Sequence, residues 1–113
     1  MRFLMILADV ETEQLKPGDP VFAERMAAYA AFTKKAETLG ALQAAGKLQP
    51  TKTGRTVRIR DGKILVTEGP FAETREQMGG FYLLECKDLD EALELAAQIP
   101  TAAHGSVEVR PLF

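Results

Sequence analysis

Residues Phe3-Leu4-Met5-Ile6-Leu7-Ala8 are apolar at every position, so a strand here has both faces buried. The polar stretch from Asp9 to Gly18 ends in Pro17-Gly18 and reads as a loop. Asp19 then Pro20 fits a helix start, with Asp19 as cap and Pro20 at the first helical position. Phe22, Met26, Tyr29, Phe32, Thr33, Ala36 and Leu39 fall on one helical arc, and Gly40 stops it. Ala41 to Leu48 form a weak strand. From Arg55 to Thr67 the period becomes two around Asp61-Gly62, the strongest short hairpin signal. That turn sets Ile59 opposite Ile64 and Val57 opposite Val66 on one face. The other face carries Thr56 with Thr67, Arg58 with Leu65 and Arg60 with Lys63. Glu68-Gly69-Pro70-Phe71 is a turn, Ala72 to Gln77 is polar, and Gly79-Gly80 leads into the doubly apolar strand Phe81-Tyr82-Leu83-Leu84. Asp88-Leu89-Asp90-Glu91 is a capping box for a helix with Leu89, Ala92, Leu93, Ala96 and Ile99 inward. Pro100 ends it, and Ser106 to Arg110 alternate as the last strand.

The order strand, helix, strand, hairpin, strand, helix, strand is α+β: a ferredoxin-like βαββαβ plan with an inserted β-hairpin. Two helices cover one face of such a sheet, yet Phe3 to Ala8 and Phe81 to Leu84 are apolar toward both. The uncovered face calls for a second copy of the chain, a homodimer packed sheet to sheet. With 113 residues and 46% of them hydrophobic, a single domain spanning 1–113 with one core is expected. The net charge of −2 excludes a generally basic nucleic-acid binder. One cysteine, Cys86, and one histidine, His104, give no metal-ligand cluster and no intramolecular disulfide. No apolar run approaches the ~20 residues of a membrane span, so a soluble cytoplasmic protein without cofactor or metal is expected.

The run Arg58-Ile59-Arg60-Asp61-Gly62-Lys63-Ile64-Leu65-Val66-Thr67-Glu68-Gly69-Pro70-Phe71-Ala72-Glu73-Thr74-Arg75-Glu76-Gln77, followed by Gly79-Gly80-Phe81-Tyr82, resembles the YCII-related proteins of the DGPF type. Gly105 to Pro111 and Tyr29 to Thr33 are also similar to that family, in which Glu68 stands here for the name-giving Asp. The resemblance implies a dimeric α+β barrel. It further implies metal-free acid–base chemistry of the isomerase or lyase kind on a small polar or anionic organic molecule. A non-enzymatic regulatory role beside an extracytoplasmic-function sigma factor is the alternative it implies. The broader group is discussed around a His–Asp pair; here His104 is the one histidine, and no motif ties Asp9 to that role.

Glu73, Arg75 and Glu76 form either a solvated loop ordered by salt bridges or a charged rim to a ligand cleft. Gly69 and Pro70 shape a tight turn, and Phe71 is a core anchor or the apolar wall of a pocket. His104 is the chain's one imidazole, and its catalytic use needs Glu73, Glu76 or Asp9 within reach; the simpler role is a surface loop histidine. Tyr29 is a core residue or turns its hydroxyl into a pocket between helix and sheet. Arg25 snorkels at the edge of the apolar arc or anchors an anion. As an enzyme, the chain would use Glu73 or His104 to move the proton. Arg25, Tyr29, Glu68, Phe71, Arg75 and Glu76 would then bind the ligand. Residues 47–63 hold six cations against Asp61 alone, a local +5 that leaves −7 for the rest. This basic stretch is a solvated edge or a contact for an acidic partner.

Overall fold

The computed structural model describes residues 1–11 and 16–113, so the expected loop from Asp9 to Gly18 lies partly outside the described residues. The elements are β1 (Arg2–Asp9), α1 (Pro20–Thr38), β2 (Leu42–Lys47), β3 (Arg55–Arg60), β4 (Lys63–Glu68), β5 (Gln77–Glu85), α2 (Leu89–Ala96) and β6 (Ser106–Pro111). Four strands form one antiparallel sheet in the order β2-β5-β1-β6, and β3 with β4 forms a separate ribbon. This is the ferredoxin-like α+β arrangement with its hairpin inserted between β2 and β5.

Local chemistry explains the boundaries. Asp19 accepts the Val21 N–H at 3.1 Å, and Pro20 occupies the first helical position of α1. At the other end Gly40 sits at φ +70, its N–H bonds to Glu37 O, and the Ala41 N–H reaches Ala36 O. These two bonds satisfy carbonyls that the last turn leaves open. Leu39 is the C-cap and exposed, so the apolar arc expected to run through it ends at Ala36. Asp61 at φ 51 and Gly62 at φ 72 supply the two positive dihedrals of the tight hairpin turn, and the ribbon register is the expected one.

Phe3, Met5 and Leu7 of β1, Tyr82 and Leu84 of β5, Phe32 and Ala36 of α1, and Ala92, Leu95 and Ala96 of α2 form one buried core. Both helices therefore lie on the same face of the sheet. Leu4, Ile6, Phe81 and Leu83 point to the opposite face, where the register sets Leu4 beside Leu83 and Ile6 beside Phe81. The molecule is only 19 Å thick along its shortest axis, enough for one sheet and one helical layer. That second face has no cover from the chain's own described residues.

The inward residues of α2 differ from expectation. Ala92, Leu95, Ala96 and Ile99 are buried, whereas Leu89 and Leu93 are each 49% exposed. Positions 92, 95, 96 and 99 make a complete i, i+3, i+4, i+7 stripe, and only one stripe can face the sheet. The capping box is also half-formed. Asp88 accepts the Glu91 N–H at 2.9 Å, but the Glu91 carboxylate takes the N–H of Lys87. No helix is long and apolar enough to cross a membrane among the described residues.

This rotation of α2 predicts an asymmetric response to truncation. Leu95→Ala should cost about 2–5 kcal/mol in urea unfolding, and Leu89→Ala no more than about 1 kcal/mol. Equal costs would contradict the buried stripe.

Candidate functional site

Where the first half of α1 passes over the sheet, the strands present almost no side chains. Ala45 and Gly46 of β2 and Gly79 and Gly80 of β5 leave a cavity of about 390 Å³ beneath Phe22, Met26 and Tyr29. Phe22, Met26 and Tyr29 recur at helical spacing and form the apolar roof, joined by Leu7 and Tyr82 from the sheet. Close packing requires two of these glycines, Gly80 toward its neighbouring strand and Gly46 toward the uncovered face. A Cβ on Gly80 would meet the Gly46 carbonyl oxygen at 2.8 Å, and one on Gly46 the Phe81 ring at the same distance. Five polar side chains also line it: Asp9, Arg25, Lys47, Thr101 and His104.

Asp9 ends β1 and continues the inward alternation of Phe3, Met5 and Leu7. A bulge then separates the two strands: Leu7 pairs with Gly80 but Ala8 with Met78, leaving Gly79 as the extra residue beside the Asp9 carboxylate. His104 follows the 3₁₀ turn Pro100–Ala103, whose Thr101 carbonyl accepts both the His104 and Gly105 N–H groups. The imidazole Nε2 lies 3.5 Å from Asp9 Oδ2, with both side chains about a quarter exposed. Gly105 makes that approach possible. A Cβ there would lie 2.2 Å from the Ala8 carbonyl oxygen and 2.9 Å from Asp9 Cβ. No larger residue fits.

Tyr29 adds a phenol to this lining. Its hydroxyl shares a hydrogen bond of 2.5 Å with Thr101 Oγ1, and Thr33 Oγ1 links the Tyr82 hydroxyl to the Tyr29 carbonyl. Burial raises the Tyr29 pKa above the ordinary phenol value, and the bond to Thr101 opposes that shift. Tyr29 therefore keeps its proton across the neutral range. Burial likewise pushes the Cys86 thiol up, as suits an unreactive core cysteine. Among the described residues no three His, Cys, Asp or Glu side chains converge as metal ligands.

Of the residues singled out by sequence, Arg25, Tyr29 and His104 line the cavity, and of the three carboxylates weighed beside His104 it is Asp9 that lies against it. Glu68, Phe71, Glu73, Arg75 and Glu76 do not line it. Glu68 is exposed and pairs with Arg55 at 3.8 Å, and Glu76 accepts the Ser106 hydroxyl at 2.8 Å. Glu73 and Arg75 are exposed and enter no ion pair among the described residues. Phe71 is 82% exposed, which corrects its expected place in the core. The Gly69-Pro70 turn holds it outward, with Gly69 at φ +89 and its carbonyl tied to Thr56. Gly105 and Thr101 carried no chemical signal in the sequence. Asp9 carried a faint one, as the acid that ends an otherwise apolar strand.

Fold and cavity together define a ferredoxin-like α+β domain with a small-molecule-sized space between helix and sheet. The chain belongs to the YCII-related domain family, whose model matches residues 1–113. It is 45% identical over 84 residues to an uncharacterised protein of Rhizobium meliloti (strain 1021), covering 73% of this chain and 68% of that one. Its fold is similar to that of the 5-chloro-2-hydroxyhydroquinone dehydrochlorinase TftG from Burkholderia phenoliruptrix AC1100, solved in complex with 2,5-dihydroxybenzoquinone. The TM-score is 0.56 at 17% identity, over 100% of this chain and 94% of that one.

Two outcomes test this geometry. Gly105→Ala should destabilise the fold by about 1–3 kcal/mol in urea unfolding, because the new methyl group must displace Ala8 or Asp9. An unchanged midpoint would deny the close approach. In ultraviolet titration the chain's two tyrosines should include one phenol above the usual value of about 10, and Tyr29→Phe should remove that step. A Tyr29 pKa raised on folding adds stability that is present below the unfolded phenol pKa. That stability is lost as pH rises through the folded one.

Proposed function

We propose that this protein is a small-molecule enzyme that moves a proton on a compact polar or anionic organic substrate, with Asp9 and His104 as its acid–base pair. The observation that carries this reading is the 3.5 Å contact between them in the lining of the cavity. With its Nε2 proton turned toward the Asp9 carboxylate, the imidazole keeps Nδ1 as the acceptor for a substrate proton. The cation formed is then stabilised by the adjacent carboxylate. Arg25 and Lys47 bring positive charge to an acidic oxygen on the substrate, and Tyr29 offers a neutral hydroxyl. Phe22, Met26 and Leu7 give the remaining wall an apolar character suited to a ring. A volume of about 390 Å³ falls within the range of small-ligand pockets and suits a single-ring molecule.

The fold neighbour's complex with a dihydroxybenzoquinone supports a ligand of that size and polarity. A purely regulatory protein working with a sigma factor has no need of an apolar cavity with an imidazole–carboxylate pair in its lining. The working unit in this proposal is a homodimer, because Leu4, Ile6, Phe81 and Leu83 leave the second sheet face apolar and uncovered.

The test is a rate assay on single-ring phenols, hydroxyquinones and their halogenated analogues, followed by four variants. Asp9→Asn and His104→Gln should each slow the conversion that the wild type performs by about 10²–10⁴-fold, with melting temperatures nearly unchanged. Glu73→Ala and Arg75→Ala should leave that rate within a few-fold. Full activity in both dyad variants would remove the acid–base assignment.

A further inference from the structure

The hairpin ribbon β3–β4 is the least explained part of the chain. Its face built from Val57, Ile59, Ile64 and Val66 leaves these four side chains 62, 65, 71 and 60% exposed. Val57 pairs with Val66 and Ile59 with Ile64, so the four form a continuous apolar ladder. Its exposed area is on the order of 400 Å², comparable to the largest apolar patch of an ordinary monomer, and here it lies on an arm. Arg58, Arg60 and Lys63 stand on the opposite face, and the Arg55–Glu68 ion pair closes the ladder's own face at its root.

The arm is fixed at its root and projects from there. The Glu11 carboxylate takes the Thr51 N–H and hydroxyl, both at 2.6 Å, and the Gly69 N–H closes onto Gly54 O at 3.0 Å. A nine-residue β5 spans about 30 Å and a six-residue ribbon strand about 20 Å. Laid nearly end to end they account for the 48 Å long axis of the molecule. An isolated two-stranded ribbon is marginally stable in water, so an apolar ladder held in register needs something packed on it.

We infer that the β3–β4 arm docks its Val57, Ile59, Ile64 and Val66 ladder onto the body of a second copy of this chain. Charge favours that occupant. The arm from Arg55 to Glu68 carries +2 and the remainder of the same chain −4, so a basic arm meets an acidic body when two copies exchange arms. Area favours it too. Two exchanged ladders with the surfaces they cover add on the order of 1,500 Å² to whatever the open sheet faces bury, within the range of stable dimers. The inference rests on the two-copy assembly proposed above and adds to it a second, separable contact.

Sedimentation of the full chain and of the double variant Ile59→Asp/Ile64→Asp separates the two contacts. The wild type should be a dimer at micromolar concentration. The variant should dissociate at least a hundredfold more readily while the circular dichroism of its body is retained. Ile59→Thr/Ile64→Thr keeps strand propensity and guards against a merely unfolded ribbon; it should weaken the dimer at least tenfold. A dimer of unchanged affinity in both variants would overturn the arm contact and leave the sheet face as the interface. A wild-type chain that is monomeric at tens of micromolar, or that gains mass only with a different protein, would overturn both.

Discussion

Two helices can cover only one face of a four-stranded sheet, and the rest of this molecule follows from that constraint. On the covered face, α1 must ride across strands that alternate between large and very small residues. Phe32 and Ala36 pack directly onto the core at its C-terminal half, where Met5, Tyr82 and Leu84 fill the space beneath. At its N-terminal half the strands offer Ala45, Gly46, Gly79 and Gly80, and the same helix therefore roofs a cavity. On the other face Leu4, Ile6, Phe81 and Leu83 have no partner from their own described chain. One side of the sheet holds a cavity, and the other stays apolar and uncovered by the described residues.

The pair in the cavity lining depends on backbone proximity more than on any attraction between its side chains. Gly105 brings the start of β6 against the end of β1 so closely that a methyl group would overlap the Ala8 carbonyl. The bulge at Gly79 carries β5 past the Asp9 carboxylate. Asp9 and His104 consequently meet from segments almost a hundred positions apart in sequence. Neither is fully buried, so both stay open to a molecule in the cavity.

Much of the fold was legible because its signals are local. Asp19-Pro20 and Gly40 bound α1, and the doubly apolar β1 and β5 announced central strands. The Asp61-Gly62 turn fixed the ribbon register to the residue. The orientation of α2 was not legible, since Leu89 and Leu93 compete with Leu95 for the inward stripe and only the sheet decides. Of the site, Arg25 and Tyr29 could be found because they fall on or beside the arc of Phe22, Met26 and Phe32 set by helical spacing. His104 stood out as the one imidazole, but its partner is set by a tertiary contact that leaves no spacing to read. The charged residues after the Gly69-Pro70 turn drew attention by their density, and the structure sets them outside the cavity lining.

The most direct measurement is amide and side-chain chemical-shift mapping while a small hydroxyquinone or phenolate probe is titrated into the labelled protein. The account predicts that the shifts concentrate at Asp9, Arg25, Tyr29 and His104, and that Gly79 and Gly80 move with them. Shifts confined to the segment from Gly69 to Glu76, with the His104 ring undisturbed, would contradict a site built on the covered face of the sheet.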